Sequence, residues 1–265
     1  MAEAVRWGDG VLATGARAAW SYLRANPANF RFAVLNALVR TGASLLTITV
    51  MIAATREIAG WTAPELLLLT GVYVLCLGLA DAVIVPGLHD LMQLIRTGEL
   101  DMVLTKPTAT LPYVLARRVD VFRLCDAALG LGIVVVALNR LDVPLWRLAA
   151  VGPAGVLGVV TFGALLTALA TAAFFVARAA NVLELVYSVQ NFARYPLDVY
   201  PQALARVLTF AVPVAWSTSF PAAALVGRLD VLRATAGALA AATATVVVAA
   251  GLWRLGRRRY SSGTS

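Results

Sequence analysis

The stretch that decides the architecture is LHDLMQLIRTGELDMVLTKP, residues 88–107, the longest polar interruption between strongly apolar segments. In its first half apolar side chains recur at helical spacing, with polar side chains on the opposite side. Gly98 predicts the end of that helix, because glycine adopts the left-handed capping conformation without strain. Lys106-Pro107 predicts the end of a second short helix. Two short amphipathic helices joined by a kink are typical of a segment that lies on a membrane surface or docks against a partner.

The composition around this stretch is that of a membrane protein. The chain has 265 residues, of which 60% are hydrophobic and 14% charged, and its mean hydropathy is +0.81. We therefore expect an all-α, polytopic membrane protein. The net charge of +8 comes mostly from arginines beside apolar segments, which favours contacts with membrane lipids over binding of nucleic acid. Cys76 and Cys125 lie inside apolar segments and predict neither a disulfide nor a metal site.

The hydropathy pattern predicts about six transmembrane helices in a single domain, residues 1–265. An amphipathic segment, residues 1–31, predicts a helix in the membrane interface and no cleavable signal peptide. Pro213 and Pro221 divide a later apolar region into pieces too short to cross a bilayer. The other predicted elements are spans at about 32–54, 65–87, 113–138, 148–176 and 231–252, a polar near-span at 183–200, a loop at 88–111, and a broken, re-entrant region at 202–229.

The distribution of arginines predicts the orientation of these spans. With the N-terminus inside, the segments facing the cytoplasm hold the larger share of the arginines. Both termini and the loop at 88–111 are therefore expected in the cytoplasm. Trp61, in the short turn on the other side, is expected to anchor at the outer membrane interface.

Several ionisable residues fall inside the predicted spans, where each costs about 3 kcal/mol unless it faces protein or water. In one interpretation the carboxylates relay protons or sodium through a secondary transporter. In the other, which we favour, they pair with the arginines and hold the helices together. The residues are Arg40, Asp81, Arg123, Asp126, Glu184 and Arg194.

The sequence lacks the residues of the common catalytic sites. A P-loop needs a lysine followed by serine or threonine, whereas the only lysine, Lys106, precedes Pro107. One histidine, His89, and two cysteines in apolar segments do not build the usual zinc or copper sites, and no hydrolase motif is present. We therefore expect no catalytic residue, metal or cofactor in this chain.

Two stretches resemble bacterial type-2 ABC transporter permeases. In one branch of that family the cytoplasmic loop reads roughly Ile-Arg-x-Gly-x-Leu-Asp-x-x-Leu-x-Lys-Pro, and residues 94–107 here read LIRTGELDMVLTKP. NFARYPLDVYP at 191–201, followed by LTFAVPVAWSTSFPAAAL at 208–225, is similar to the later half of the same branch. The residues that match the loop pattern are Ile95, Arg96, Gly98, Leu100, Asp101, Leu104, Lys106 and Pro107.

The resemblance implies a six-span permease of the bacterial inner membrane that forms a dimer with a like or related permease. ATP and Mg would be bound by separate cytosolic ATPase subunits, one on each half, and not by this chain. The loop would include the coupling helix, with Arg96, Glu99, Asp101 and Lys106 offering ion pairs and Leu100 and Leu104 acting as apolar anchors. Because the family exports varied lipids, glycans, drugs and peptides, we expect an amphipathic or hydrophobic substrate. An ion-coupled secondary transporter, or a non-transporting subunit of a sensor or immunity complex, remains the alternative.

Overall fold

The structure, a computed structural model, describes residues 25–55, 57–104, 110–116, 118–171, 188 and 191–259. This part of the chain consists of helices joined by turns and loops, with one isolated β-bridge between Ile58 and Trp61. Five of its helices are long and apolar enough to cross a membrane, so the predicted all-α, multi-pass architecture is confirmed. These segments are Pro27–Val50, Ala63–Val83, Val121–Leu141, Leu145–Thr171 and Val231–Arg258.

The described helices are numbered here in chain order. Pro27 opens the first, since its fixed φ suits a first turn. Before the second, the Glu65 carboxylate accepts the N–H of Thr62 at 2.7 Å, as in a capping box. The helices are α1 (Pro27–Thr55), α2 (Ala63–Val83), α3 (Val85–Thr97), α4 (Leu100–Leu104), α5 (Thr110–Ala116), α6 (Leu124–Leu141, after the 3₁₀ turn Val121–Arg123), α7 (Leu145–Thr171), α8 (Gln202–Arg206), α9 (Ser219–Leu225) and α10 (Val231–Arg259).

Two predicted elements fall partly outside the described residues. The interfacial helix expected at residues 1–31 is described only from residue 25. In the polar near-span at 183–200, residues 183–187, 189 and 190 also lie outside them, and these include Glu184. A sixth span therefore stays a prediction.

The second span ends earlier than predicted, at Val83 rather than near residue 87. Pro86 causes the change, because it has no N–H to donate to the carbonyl of Ala82, four residues earlier. That carbonyl accepts the N–H of Asp120 instead, at 2.8 Å. The interrupted helix thus fixes the start of the third span against the end of the second.

The third span begins near Val121, and the predicted start at residue 113 is wrong. Asp120 has an extended backbone, and its side chain accepts the N–H of Phe122 at 3.0 Å, so it caps a new helical segment. The residues before it form α5, which packs against α3. A Cβ added to Gly87 would lie only 2.5 Å from the Cα of Leu115, so glycine permits this close approach.

α2 and α6 pack backbone to backbone through a reciprocal pair of glycines. A Cβ added to Gly78 of α2, or to Gly130 of α6, would lie 2.3 Å from a backbone nitrogen of the other helix. Small residues allow such close packing between helices in a membrane. The contact at Gly78 is with Ala127, which adjoins Asp126, and Asp81 lies one turn from Gly78. The close packing therefore brings these two carboxylates near each other.

The region at 202–229 is broken into short pieces. Leu208 and Val214, from its middle, pack in a core cluster with Phe162 of α7. At its far end Arg228 reaches Glu65, at the start of α2. The pieces are α8, the π-helical turn Val207–Ala211, the 3₁₀ turn Val214–Ser217 and α9.

The two prolines of this region act differently. Pro213 lies between the π-helical and 3₁₀ turns, where the sequence predicts a break. Pro221 lies inside α9 and the predicted break there is wrong, because proline is tolerated in the first turn of a helix.

Candidate functional site

The segment from residue 85 to residue 104, α3–Gly98–α4, is a bent pair of helices that we call the hook. The predicted helix end at Gly98 is confirmed, since Gly98 caps α3 with a φ of 75°. The predicted second short helix is present as α4. Lys106 and Pro107 lie outside the described residues.

One side of the hook belongs to the core of this chain. Leu100 is fully buried and packs with Val114 of α5 and Trp253 of α10. Leu100 therefore fixes α4 to the bundle of this chain, and its role as an apolar anchor of the coupling helix stays a prediction. The other hook side chains in this cluster are Leu91, Leu94 and Val103.

The other side of the hook is open. Glu99 is exposed, Asp101 is half-buried, and Met102 is 73% exposed. Asp90, expected on the polar side, is buried instead and accepts a hydrogen bond from Arg118 at 3.0 Å. The side chains of Arg96 and Leu104 lie outside the described part of the chain.

Five of the six charged residues predicted within spans lie together where the hook joins the bundle, and we call them the cavity cluster. Arg40 of α1 contacts Asp126 of α6 at 2.5 Å and Asp81 of α2 at 3.6 Å. Arg123 lies 4.0 Å from Asp81. The structure thus pairs both carboxylates with arginines, as in the interpretation we favoured. The cluster is Arg40, Asp81, Arg123, Asp126 and Arg194, while Glu184 lies outside the described residues.

A polar cavity of about 450 Å³ adjoins this cluster. That volume is in the range of small-molecule binding sites. The hook contributes Val85, Pro86 and His89 to its wall, so the hook and the charged residues share one space. The rest of the wall comes from Arg40, Thr41, Ser44, Tyr73, Val74, Leu77, Asp81, Asp120, Arg123, Asn191 and Arg194.

Arg194 enters this wall from the polar segment before α8. Its Nη2 donates to the Oγ of Ser44 at 2.9 Å, and its guanidinium carbon lies 5.9 Å from the centre of the Tyr73 ring. Its Nε is buried without a hydrogen-bond partner among the described residues, and so is Oδ1 of Asp126. Unsatisfied buried polar atoms are costly and often mark sites that act on a ligand.

A second charged cluster, at the other end of α2, was missed by the sequence analysis. Arg228 donates to both oxygens of Glu65, at 2.8 and 3.0 Å, and to the carbonyl of Gly60 at 2.5 Å. Trp61 donates to Oδ2 of Asp198 at 2.8 Å. We call these five residues the clamp. The hydrogen bonds that Arg228 donates to Glu65 raise the pKa of Arg228, so this arginine stays charged.

Trp61 is not the interface anchor predicted from the sequence. It is only 1% exposed, and the guanidinium of Arg228 lies 4.8 Å from its ring. The indole therefore fills the centre of the clamp, with its one N–H satisfied by Asp198. Its short-range sequence context gave no sign of partners more than a hundred residues away.

The described residues contain no group of three histidine, cysteine or carboxylate side chains that could hold a metal ion. Their polar groups instead form the two charged clusters and the exposed side of the hook. These features can bind charged or amphipathic groups and transmit movement between helices.

In a comparison with known protein families, residues 38–264 match a family described as ABC-2 family transporter protein. Neither a curated protein nor a solved structure matches the chain significantly. The matched region includes the hook, the cavity cluster and the clamp, and therefore nearly all of the described structure. On this evidence the chain belongs to the ABC-2 family of transporter proteins, the membrane subunits of ABC transporters.

Proposed function

We propose that this chain is the permease subunit of an ABC exporter in a bacterial inner membrane, with both termini in the cytoplasm. Separate cytosolic ATPase subunits bind ATP and Mg, and a second, like or related permease completes the path. The substrate is amphipathic or hydrophobic. Family membership supports the permease role, and the five apolar helices support its place in a membrane.

The observation that carries the coupling role is the attachment of the hook to two spanning helices. Only Ile84 separates α3 from α2, and Leu100 packs with Trp253 of α10. A force on the hook therefore reaches both helices, since close-packed side chains transmit displacement. Because Pro86 and His89 also line the cavity, movement of the hook changes the shape of that cavity.

The exposed side of the hook has the chemistry of a docking surface. Glu99 and Asp101 can pair with cations of an ATPase, while Met102 offers a flexible apolar contact. The opposite side of the hook packs against the helix bundle, which holds the exposed side chains in a defined position.

We further assign the region at 202–229 to the outer side, where it enters the membrane and returns. Its flanks at Asp198 and Arg228 belong to the clamp, whereas Leu208 and Val214 reach the core. Its second half, from Pro213 to Leu225, is mostly buried, so the protein shields the backbone groups of these residues from lipid.

The coupling role is tested by charge reversal on the hook. We expect Glu99→Lys and Asp101→Lys each to weaken association with the cognate ATPase by roughly tenfold, since like charges across an interface repel. Co-purification and binding of the purified ATPase to the permease in nanodiscs measure this. Glu57→Lys is the matched control, because Glu57 is an exposed acid at the other end of the bundle.

Equal ATPase binding by the parent and by both hook variants would refute the coupling role. A purified complex that transports without any ATPase would refute the whole proposal. The ion-coupled alternative has less support, because Asp81 and Asp126 are both paired with arginines.

A further inference from the structure

We propose that the cavity beside the hook binds the anionic group of an amphipathic ligand, a phosphate or carboxylate, and that Arg194 is its principal contact. This inference rests on the proposed function in one respect, namely that the bound ligand is the transported substrate. The binding site itself follows from the charges, donors and space of the cavity.

The three arginines in the cavity wall differ in how far their charge is already balanced. Arg40 has two carboxylate partners, and Arg123 lies near one of them. Arg194 pairs with no carboxylate among the described residues, where its partners are a hydroxyl and an aromatic ring. A cation lining a cavity within a membrane bundle is therefore available for an external anion.

The hydrogen bonding of Arg194 points to the same ligand. Nη2 already donates to Ser44, whereas Nε is buried and unused. These two nitrogens share one edge of the guanidinium, and carboxylate and phosphate oxygens bind such an edge in pairs. An incoming anion would satisfy the donor that the described residues leave unpaired.

The rest of the wall explains why the ligand should be amphipathic. Thr41 and Asn191 supply further hydrogen-bonding groups in the same wall, and Val74 and Leu77 supply an apolar surface. About 450 Å³ accommodates a charged head with a short alkyl stem. The ligand is either a soluble amphiphile or an anionic lipid headgroup, because both present the same anion.

The test uses the full chain in nanodiscs of neutral phosphatidylcholine, with hexyl phosphate and hexyltrimethylammonium as probes of equal alkyl length. Isothermal titration calorimetry measures binding without any ATPase. We expect hexyl phosphate to bind at least tenfold more tightly than the cation. Arg194→Gln should weaken hexyl phosphate binding at least fivefold, and Arg194→Lys should weaken it less. Arg206→Gln is the matched control, since Arg206 is exposed and outside the cavity.

A second variant keeps the test decisive if Arg194→Gln does not fold. Asn191→Asp is nearly isosteric and adds a negative charge to the same wall, so we expect it to abolish hexyl phosphate binding. Equal binding of the two probes by the parent would overturn the proposal. Unchanged binding in a folded Arg194→Gln or Asn191→Asp variant would also overturn it.

A lipid arm identifies the source of the anion. Native mass spectrometry on protein from nanodiscs containing phosphatidylglycerol measures how much of that lipid stays bound. Retention by the parent and loss in Arg194→Gln would assign the site to a lipid headgroup. Hexyl phosphate binding undiminished by phosphatidylglycerol would assign it to a soluble amphiphile. If neither binds, the inference fails. Failure of ATPase association would instead overturn the proposed function and leave this site standing.

Discussion

The two ends of α2 carry charged clusters of opposite character. In the clamp, Glu65 accepts from Arg228 and Asp198 accepts from Trp61, so these groups are paired, although a cavity of about 370 Å³ borders them. In the cavity cluster, Oδ1 of Asp126 and Nε of Arg194 lack partners among the described residues, and about 450 Å³ of space adjoins Arg194. One helix therefore connects two polar networks. We call the clamp the closed network, because these groups are paired, and the cavity cluster the open network, because two of its polar atoms lack partners among the described residues.

This difference shows which charges hold the fold together and which are available for function. A polar network with all its groups paired rigidifies a structure. A network left partly unpaired contains polar atoms that can still bind a ligand. Charged groups of the second kind, beside a cavity, are functional candidates. The hook borders the open network and not the closed one, so movement of the hook acts where the charges are incompletely satisfied.

The largest expected effect comes from removing the arginine that joins two carboxylates. Arg40→Leu removes the closest arginine from Asp126 and one arginine partner from Asp81, and these carboxylate side chains are only 5% and 10% exposed. Breaking a buried pair from one side costs about 3–5 kcal/mol, because the remaining charge has no counterion. Denaturation in mixed detergent micelles measures the loss in the free energy of unfolding.

A double variant distinguishes charge imbalance from lost packing. Arg40→Leu combined with Asp126→Leu removes both members of the shortest pair, so it should recover part of the lost stability. A double variant less stable than the sum of the two single effects would show that the cavity cluster is not organised around this pair.

A smaller effect is expected from the glycine contact that brings the two carboxylates together. Gly130→Ala forces a Cβ to within 2.3 Å of the Leu75 nitrogen, and overpacking of this kind costs about 1–3 kcal/mol. Gly132→Ala, on the same helix, meets nothing within 4 Å and should be neutral or stabilising by about 0.5–1 kcal/mol. The same unfolding assay compares them, and equal effects would contradict backbone-to-backbone packing of α2 and α6.

The sequence predicted the features that depend on local patterns. The end of α3 at Gly98 and the long apolar helices follow from capping chemistry and hydropathy, which act over a few residues. Arginine pairing of Asp81 was favoured because a charge within a membrane needs a partner. The geometry of those pairs could not be predicted, since it depends on which helices become neighbours.

The features that were missed depend on tertiary contacts. Trp61 and Asp198 are 137 residues apart in the chain, and nothing in the local sequence links them. The sequence analysis placed the start of the third span too early. The N–H of Asp120 binds the carbonyl of Ala82, which Pro86 leaves without its helical donor, and this contact could not be read from the local sequence. Leu100 matched a family pattern, but the pattern did not reveal that its side chain faces inward.

The smallest effect should come from opening the clamp, and it would sharpen the contrast between the two ends of α2. Arg228→Gln removes the ion pair with Glu65, yet the hydrogen bonds of this pair are exposed, so water screens much of the interaction. We expect a loss of about 1 kcal/mol in the free energy of unfolding, reduced further at high salt. Hexyl phosphate binding in the cavity should be unchanged, because Arg228 is not in its wall. A loss of several kcal/mol, or weaker binding of hexyl phosphate, would mean that the closed network also supports the open one through α2.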